Sequence, residues 1–121
     1  MTESHDGAAT KHALLLDDNL MSAVRVQAQL ERMSYRVQTA RNIPDTEGLK
    51  DQMPELIVIN LGSRGMNAVG HIGVCRERVP AARVVGFCGH LEVEIRRAAK
   101  AAGIDKILTN DQAYSELAQS L

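Results

Sequence analysis

Three short apolar runs constrain this chain more than any other feature: Ala13-Leu14-Leu15-Leu16, Leu56-Ile57-Val58-Ile59 and Val84-Val85-Gly86-Phe87. Each has the length of a strand and shows no polar alternation, so each must be covered on both faces. Helical spacing follows them. After the first run, Ala23, Val26, Leu30 and Met33 recur three and four residues apart over 20–33 and share one helix face. After the third, Leu91, Ile95, Ala98 and Ala102 form a stripe over 91–102, with Glu92, Glu94, Arg96, Arg97 and Lys100 largely outside it. A helix over 66–79 follows the second run, although Gly70 and Gly73 each cost roughly 1 kcal/mol relative to Ala, and Pro80 ends it.

The remaining segments complete the alternation. Residues 35–40 alternate apolar and polar, which suits a strand near a sheet edge. Residues 42–52 read as a short helix with Pro44 in its first turn. A fifth strand is expected over 104–109, after Gly103 stops the preceding helix. A last helix capped by Asp111 places Ala113, Leu117 and Leu121 on one side. Asp18 or Asn19 is the expected cap of the first helix. Strand and helix alternate five times, which implies a parallel sheet with helices on both faces. The 121 residues suffice for one domain, expected over 12–121, with the polar residues 1–11 as a flexible tail.

Composition narrows the function classes. The net charge is -1, without the basic excess expected of a nucleic-acid-binding domain. No apolar run approaches the ~20 residues of a membrane span. Cys75 and Cys88 form neither a disulfide framework nor a CxxC pair, and a cytoplasmic location is expected. His71 and His90 lack zinc-ligand spacing.

In open α/β sheets the ligand crevice lies beyond the carboxyl ends of the strands. There the first run delivers Asp17 and Asp18, the third strand Asn60, the fourth Cys88 and Gly89, and the fifth Thr109 and Asn110. The stretches LLLDDN, LIVINLGSRGMN, RVVGFCGH and GIDKILTN resemble those of response-regulator receiver domains over about residues 12–121. The resemblance implies a flavodoxin-like (βα)5 three-layer α/β sandwich with a five-stranded parallel sheet of order 2-1-3-4-5. It also implies a place in two-component signal transduction and no enzymatic activity of its own.

The resemblance carries over unevenly. Asp17 and Asp18 match the family's Mg²⁺-binding acidic pair. The phosphoacceptor Asp is replaced by Asn60, the Thr or Ser closing the fourth strand by Cys88, the aromatic switch residue by Ile107, and the Lys-Pro pair by Asn110-Asp111. Each loss has a chemical meaning. A carboxylate can attack phosphorus, whereas an amide oxygen is neutral and its nitrogen lone pair is delocalised. Asn110 brings no charge to a transferring phosphoryl group. A thiol is a weak donor beside a hydroxyl, and Ile107 has no ring to exchange between inward and outward positions.

The expectation is therefore a pseudo-receiver: a phosphorylation-independent module acting through protein–protein interaction, without a cofactor. Asp17, Asp18 and the Gly62 carbonyl would offer Mg²⁺ only a weak site, or none, once the third carboxylate is gone. The partner surface expected from the resemblance is the last helix, the fifth strand and the helix over 91–102, and a homodimer is one form it could take. Two alternatives stand beside this reading. One is phosphorylation at Asp17 or Asp18. The other is a small-molecule site on a flavodoxin-like fold, although the acidic Asp17-Asp18-Asn19 loop would repel a flavin phosphate. Cys88 reads more readily as a small apolar filler than as a redox sensor.

Overall fold

The structure, a computed structural model, describes residues 11–121. The expected tail lies outside the described residues except for Lys11, which already belongs to the first strand and pairs with Tyr35. Five strands, β1 (Lys11–Leu16), β2 (Tyr35–Ala40), β3 (Leu56–Asn60), β4 (Arg83–Cys88) and β5 (Lys106–Thr109), form one parallel sheet of order β2-β1-β3-β4-β5. The helices are α1 (Leu20–Arg32), α2 (Thr46–Leu49), α3 (Ala68–Arg78), α4 (Val93–Ala101), α5 (Asn110–Ser115) and α6 (Leu117–Ser120). The alternating α/β architecture is the one read from the sequence, and the strand order is the one the resemblance implies.

The apolar runs are the three central strands, and every residue of β3 is buried. The two-residue period of each strand divides its side chains between two cores. Leu14, Leu16, Ile57, Ile59, Val84 and Cys88 face α3 and α4, with Ile72, Cys75 and Ala99 packed on them. Ala13, Leu15, Leu56, Val58, Val85 and Phe87 face the other way, against Val26 and Leu30 of α1 and Ala113 and Leu117 beyond β5. Gly86 breaks the branched run because a Cβ there would lie 2.5 Å from Leu61 Cδ1 and 2.8 Å from Ile104 Cδ1. Edge strand β2 keeps half-exposed positions throughout, as its alternation implies.

Several boundaries differ from the sequence reading. The helix expected over 42–52 shrinks to the four residues of α2, where Asp45 caps Gly48 N at 2.9 Å. Only Ile43 and Leu49 bury apolar side chains in that stretch, too little packing to sustain a longer helix. Strand β5 begins at Lys106, not at residue 104; Asp105 instead accepts from Val84 N at 2.8 Å. Of the stripe assigned to 91–102, Ile95 and Ala102 pack on the core, but Leu91 lies outside α4 and is 80% exposed, and the buried alanine is Ala99, not Ala98. Gly103 follows α4 with φ 94°, the left-handed geometry of a helix stop. The last helix is broken in two at Glu116, and its cap is Thr109, not Asp111. Thr109 and Gln112 form a reciprocal capping box that satisfies two orphan N–H groups, so α5 starts directly after β5. No helix among the described residues is long and apolar enough to cross a membrane.

Candidate functional site

The side chains at the carboxyl end of the sheet divide as the strands do. Asp17 and Asn60 project on the α1 side, and both are buried. Asn19 caps α1 by accepting from Met21 N at 2.9 Å and Ser22 N at 3.2 Å, which brings the Ser22 hydroxyl over Asp17. Asp18 takes no part in that cap. Asp17 Oδ1 accepts from Asn19 N at 2.9 Å and from Asn60 Nδ2 at 3.0 Å, while Asp17 Oδ2 accepts from Ser22 Oγ. Asn60 Nδ2 also donates to Ser22 Oγ at 3.3 Å, and Asn60 Oδ1 accepts from Gly62 N at 3.0 Å.

These partners fix which way the amide points. Gly62 N can only donate and Asp17 can only accept, so exchanging the amide oxygen and nitrogen would set two mismatched pairs in a buried site. A neutral amide is therefore suited to this position beside a buried acid. A carboxylate in its place would confront Asp17 Oδ1 directly.

Asp18 is only partly buried and accepts from Ser63 Oγ, which anchors the loop after β3. Its other oxygen packs against Gly65, where a Cβ would collide with it. Arg41 Nη2 donates to the Gly65 carbonyl at 3.1 Å, and His71 Nε2 lies 3.0 Å from the Arg41 carbonyl, so His71 supports this loop.

Magnesium needs several oxygen ligands with free lone pairs. Both oxygens of Asp17 are engaged, one oxygen of Asp18 holds Ser63, and Asn60 turns its N–H donors, not its oxygen, toward Asp17. Among the described residues, no group of three or more His, Cys, Asp or Glu is placed to hold a metal ion. The hydrogen bonds from Ser22, Asn60 and Ser63 compete with Mg²⁺ for the Asp17 and Asp18 oxygens, and with Asn60 in place of a third carboxylate the donor set fits the ion poorly.

The α4 side is different. Cys88 is buried in the core that contains Ala99, with Ile95, Ile104 and Ile107 packed against it. Burial pushes its thiol above the ordinary value; Arg96 opposes the shift and Glu92 adds to it. Such a thiol is poorly nucleophilic at neutral pH. Glu92 Oε2 accepts from Gly89 N at 2.9 Å and lies 3.2 Å from where a Gly62 Cβ would be, so Gly62 sits between the two halves. Arg96, expected on a solvated face, turns inward, and its Nε is buried with no hydrogen-bond partner among the described residues. Asn110 is the first residue of α5 and makes no side-chain hydrogen bond to Asp17, Asn60 or Cys88. Ile107 joins the α4-side core. The site thus brings Asp17 and Asn60 together, holds Asp18 at the rim and leaves Cys88, Ile107 and Asn110 apart from them.

Sequence reasoning missed Ser22, Ser63, Glu92 and Arg96. The five-residue separation of Asp17 and Ser22 held a signal: a strand-ending acid followed by a first-turn serine brings the hydroxyl back over the carboxylate.

No protein-family model matches the chain, and no curated protein does. Solved structures do. A response regulator from Burkholderia pseudomallei, solved with a phosphorylated aspartic acid, a calcium ion and citrate, is 25% identical with a TM-score of 0.74, covering 92% of this chain and 66% of its own. The CheY-like protein TadZ from Pseudomonas aeruginosa is 19% identical with a TM-score of 0.73, covering 90% and 94%. The receiver domain of NtrX from Brucella abortus is 18% identical with a TM-score of 0.68, covering 90% and 97%. The chain thus spans slightly less than two thirds of the Burkholderia protein and nearly all of the other two. Its fold is that of the CheY-like receiver domains of response regulators, and this fold supports a role in signalling.

Proposed function

We propose that this chain is a pseudo-receiver, a signalling module that works through protein–protein interaction without being phosphorylated, in the cytoplasm. The observation that carries the reading is the hydrogen bond from Asn60 Nδ2 to Asp17 Oδ1 at 3.0 Å. At the position where the family resemblance places a nucleophilic carboxylate, this chain has an amide that satisfies the neighbouring acid. The resting site thereby needs neither metal nor phosphate to balance its charge. With Ile107 in the core, Cys88 a weak thiol donor and Asn110 uncharged at the start of α5, the family's switch positions carry neither a charge nor a hydroxyl to respond to a phosphoryl oxygen. The fold is held in one state or is shifted by a partner that prefers one state over another.

Phosphorylation at Asp17 or Asp18 fits less well, because Asp17 is buried under three donors and Asp18 is tied to Ser63. The partner face expected from the resemblance has support in Leu91, just before α4, and Val93, its first residue, both of which stand exposed. The deciding experiment adds Mg²⁺ and beryllofluoride and records amide chemical shifts. The reading expects the amides around Asn60 and Cys88 to stay in place, and clear shifts there would sink it. Incubation with acetyl phosphate followed by mass spectrometry is expected to give no stable added phosphate.

A further inference from the structure

The crossover from β2 to β3 covers its face of the sheet poorly. The four residues of α2 rise about 6 Å, whereas the six residues of β1 or β2 run about 20 Å. A cavity of about 350 Å³ remains between this segment and the two strands. It lies over the amino halves of β1 and β2 and shares no lining residue with the site of Asp17 and Asn60 at the carboxyl ends.

The parallel register sets His12 beside Arg36 and Leu14 beside Gln38, so these four side chains share one face of the sheet. Leu14, Leu49 and Pro54 are buried and give the cavity an apolar floor and wall. His12, Arg36 and Gln38 line it from the strands, and Gln52 lines it from just after α2. Among the described residues, none of these four polar side chains makes a hydrogen bond to the protein, and Arg36 forms no ion pair. Glu31 is the acid on the lining, and its carboxylate already accepts from Gln27 Nε2 at 3.2 Å, one turn back along α1. The volume falls within the range of roughly 300–1,000 Å³ of small-molecule pockets, which pair apolar walls with a few polar groups.

We propose that this cavity binds a small organic carboxylate, its head on Arg36 and His12 and its apolar body on Leu14, Leu49 and Pro54. The head group follows from the guanidinium, whose planar fork meets two carboxylate oxygens at once. A cation would meet Arg36 as a like charge, and a neutral ligand would leave the guanidinium to water. The apolar floor separates such a ligand from a bare inorganic anion, which gains nothing from Leu14, Leu49 and Pro54. A ligand seated here fastens α2 to β1 and β2. The inference goes beyond the reading of the chain as an interaction module and does not depend on it: the chain gains a chemical input that needs no phosphoryl group.

The test titrates the full chain with hexanoate and phenylacetate, with their neutral amides hexanamide and phenylacetamide, and with inorganic phosphate, following amide chemical shifts. At least one of the two acids is expected to shift His12, Arg36, Gln38 and residues 49–54, to saturate below about 10 mM, and to leave Asn60 and Gly62 in place. Arg36→Gln should weaken that acid by roughly tenfold or more, the scale of a charge-assisted hydrogen bond. Arg36 is exposed, so the melting temperature of this variant should hold. Gln52→Trp, which fills the cavity from its exposed rim, should abolish the shifts with the fold intact. Equal binding of an acid and its amide, a response to phosphate alone, shifts centred on Asn60, no saturation by either acid, or undiminished binding in Arg36→Gln would each overturn the proposal.

Discussion

The α1 side of the strand-end site and its α4 side handle polarity in opposite ways. On the α1 side the chain surrounds the Asp17 carboxyl with donors: Asn19 N, Ser22 Oγ and Asn60 Nδ2. On the α4 side the positions where the resemblance expects a hydroxyl and an aromatic ring hold Cys88 and Ile107, which merge with the aliphatic core. One half is a closed hydrogen-bond net, and the other is an extension of the hydrophobic interior. The difference teaches that losing a phosphoacceptor is physically two problems. A remaining acid must be re-satisfied, and space once given to moving polar groups must be filled.

The largest effect is expected where the net is cut at its centre. Asp17→Ala removes the acceptor shared by Asn60 Nδ2, Ser22 Oγ and Asn19 N; Ser22 Oγ keeps the Asn19 carbonyl at 3.2 Å and Asn60 Nδ2 keeps Ser22 Oγ at 3.3 Å, but the centre of the net is lost, and a buried hydrogen-bonding group left short of a partner costs about 1–3 kcal/mol. A loss of about 3 kcal/mol is expected in urea denaturation, with the m-value unchanged. A loss below about 1 kcal/mol would mean that water replaces the carboxylate without penalty, and the contrast between the halves would weaken. Next comes Gly86→Ala on the α4 side, where a methyl would press on Leu61 and Ile104. Overpacking of this kind costs about 1–3 kcal/mol. Full stability in that variant would show that the α4-side core is looser than its packing implies.

Asn60→Asp tests the comparison from within the net. A second carboxylate would face Asp17 Oδ1, so the pair would hold a proton more tightly when folded than when unfolded, and the two would titrate as a unit. A folded-state pKa raised in this way costs stability as pH climbs. The variant should match the parent below about pH 4 and fall behind by about 1–2 kcal/mol at neutral pH, the scale of roughly one pKa unit of coupling. Mg²⁺ should recover part of the loss, because the added oxygen is a better ligand than an N–H donor. Efficient labelling by acetyl phosphate is not expected, since Asn110 still supplies no charge; rapid labelling would show the α4 side to be dispensable for the chemistry.

Much of this was legible in the sequence. The apolar runs fixed β1, β3 and β4, and the alternation of 35–40 marked β2 as an edge. Meeting Asn60 with Asp17 needed only the strand ends and the rule that a parallel sheet collects them at one side. Less legible was everything set by the rotation of a helix about its axis. Arg96 was misassigned because Ala99, not Ala98, is the buried alanine of α4 and Arg96 stands one turn before it on the same face; Leu91 was misassigned because α4 begins only at Val93. Thr109 outcompeted Asp111 as a cap because only Thr109 has a glutamine three residues on to return the bond. Ser22 was overlooked because a first-turn hydroxyl belongs to no apolar periodicity.

The smallest effect lies away from the site and shows what an ordinary charge pair in this fold is worth. Arg76 on α3 reaches Asp105 at 2.7 Å and also donates to the Gly103 carbonyl, tying the helix to the turn before β5. Partial burial pushes the Asp105 carboxyl upward, but the bond from Val84 N and the Arg76 guanidinium outweigh it and hold the group below its ordinary value of 3.8. A folded-state pKa lowered in this way stabilises the fold above the unfolded value, and the gain disappears as pH falls through the lower folded value. Asp105→Asn should therefore melt slightly below the parent at pH 6, with the gap closing as pH drops below about 4. The gap should also shrink in high salt, because both side chains are about one-third exposed. A buried acid such as Asp17, held by fixed donors, should show no such salt dependence. If the Asp105 gap persisted in high salt, solvent screening would not distinguish this rim pair from the closed net.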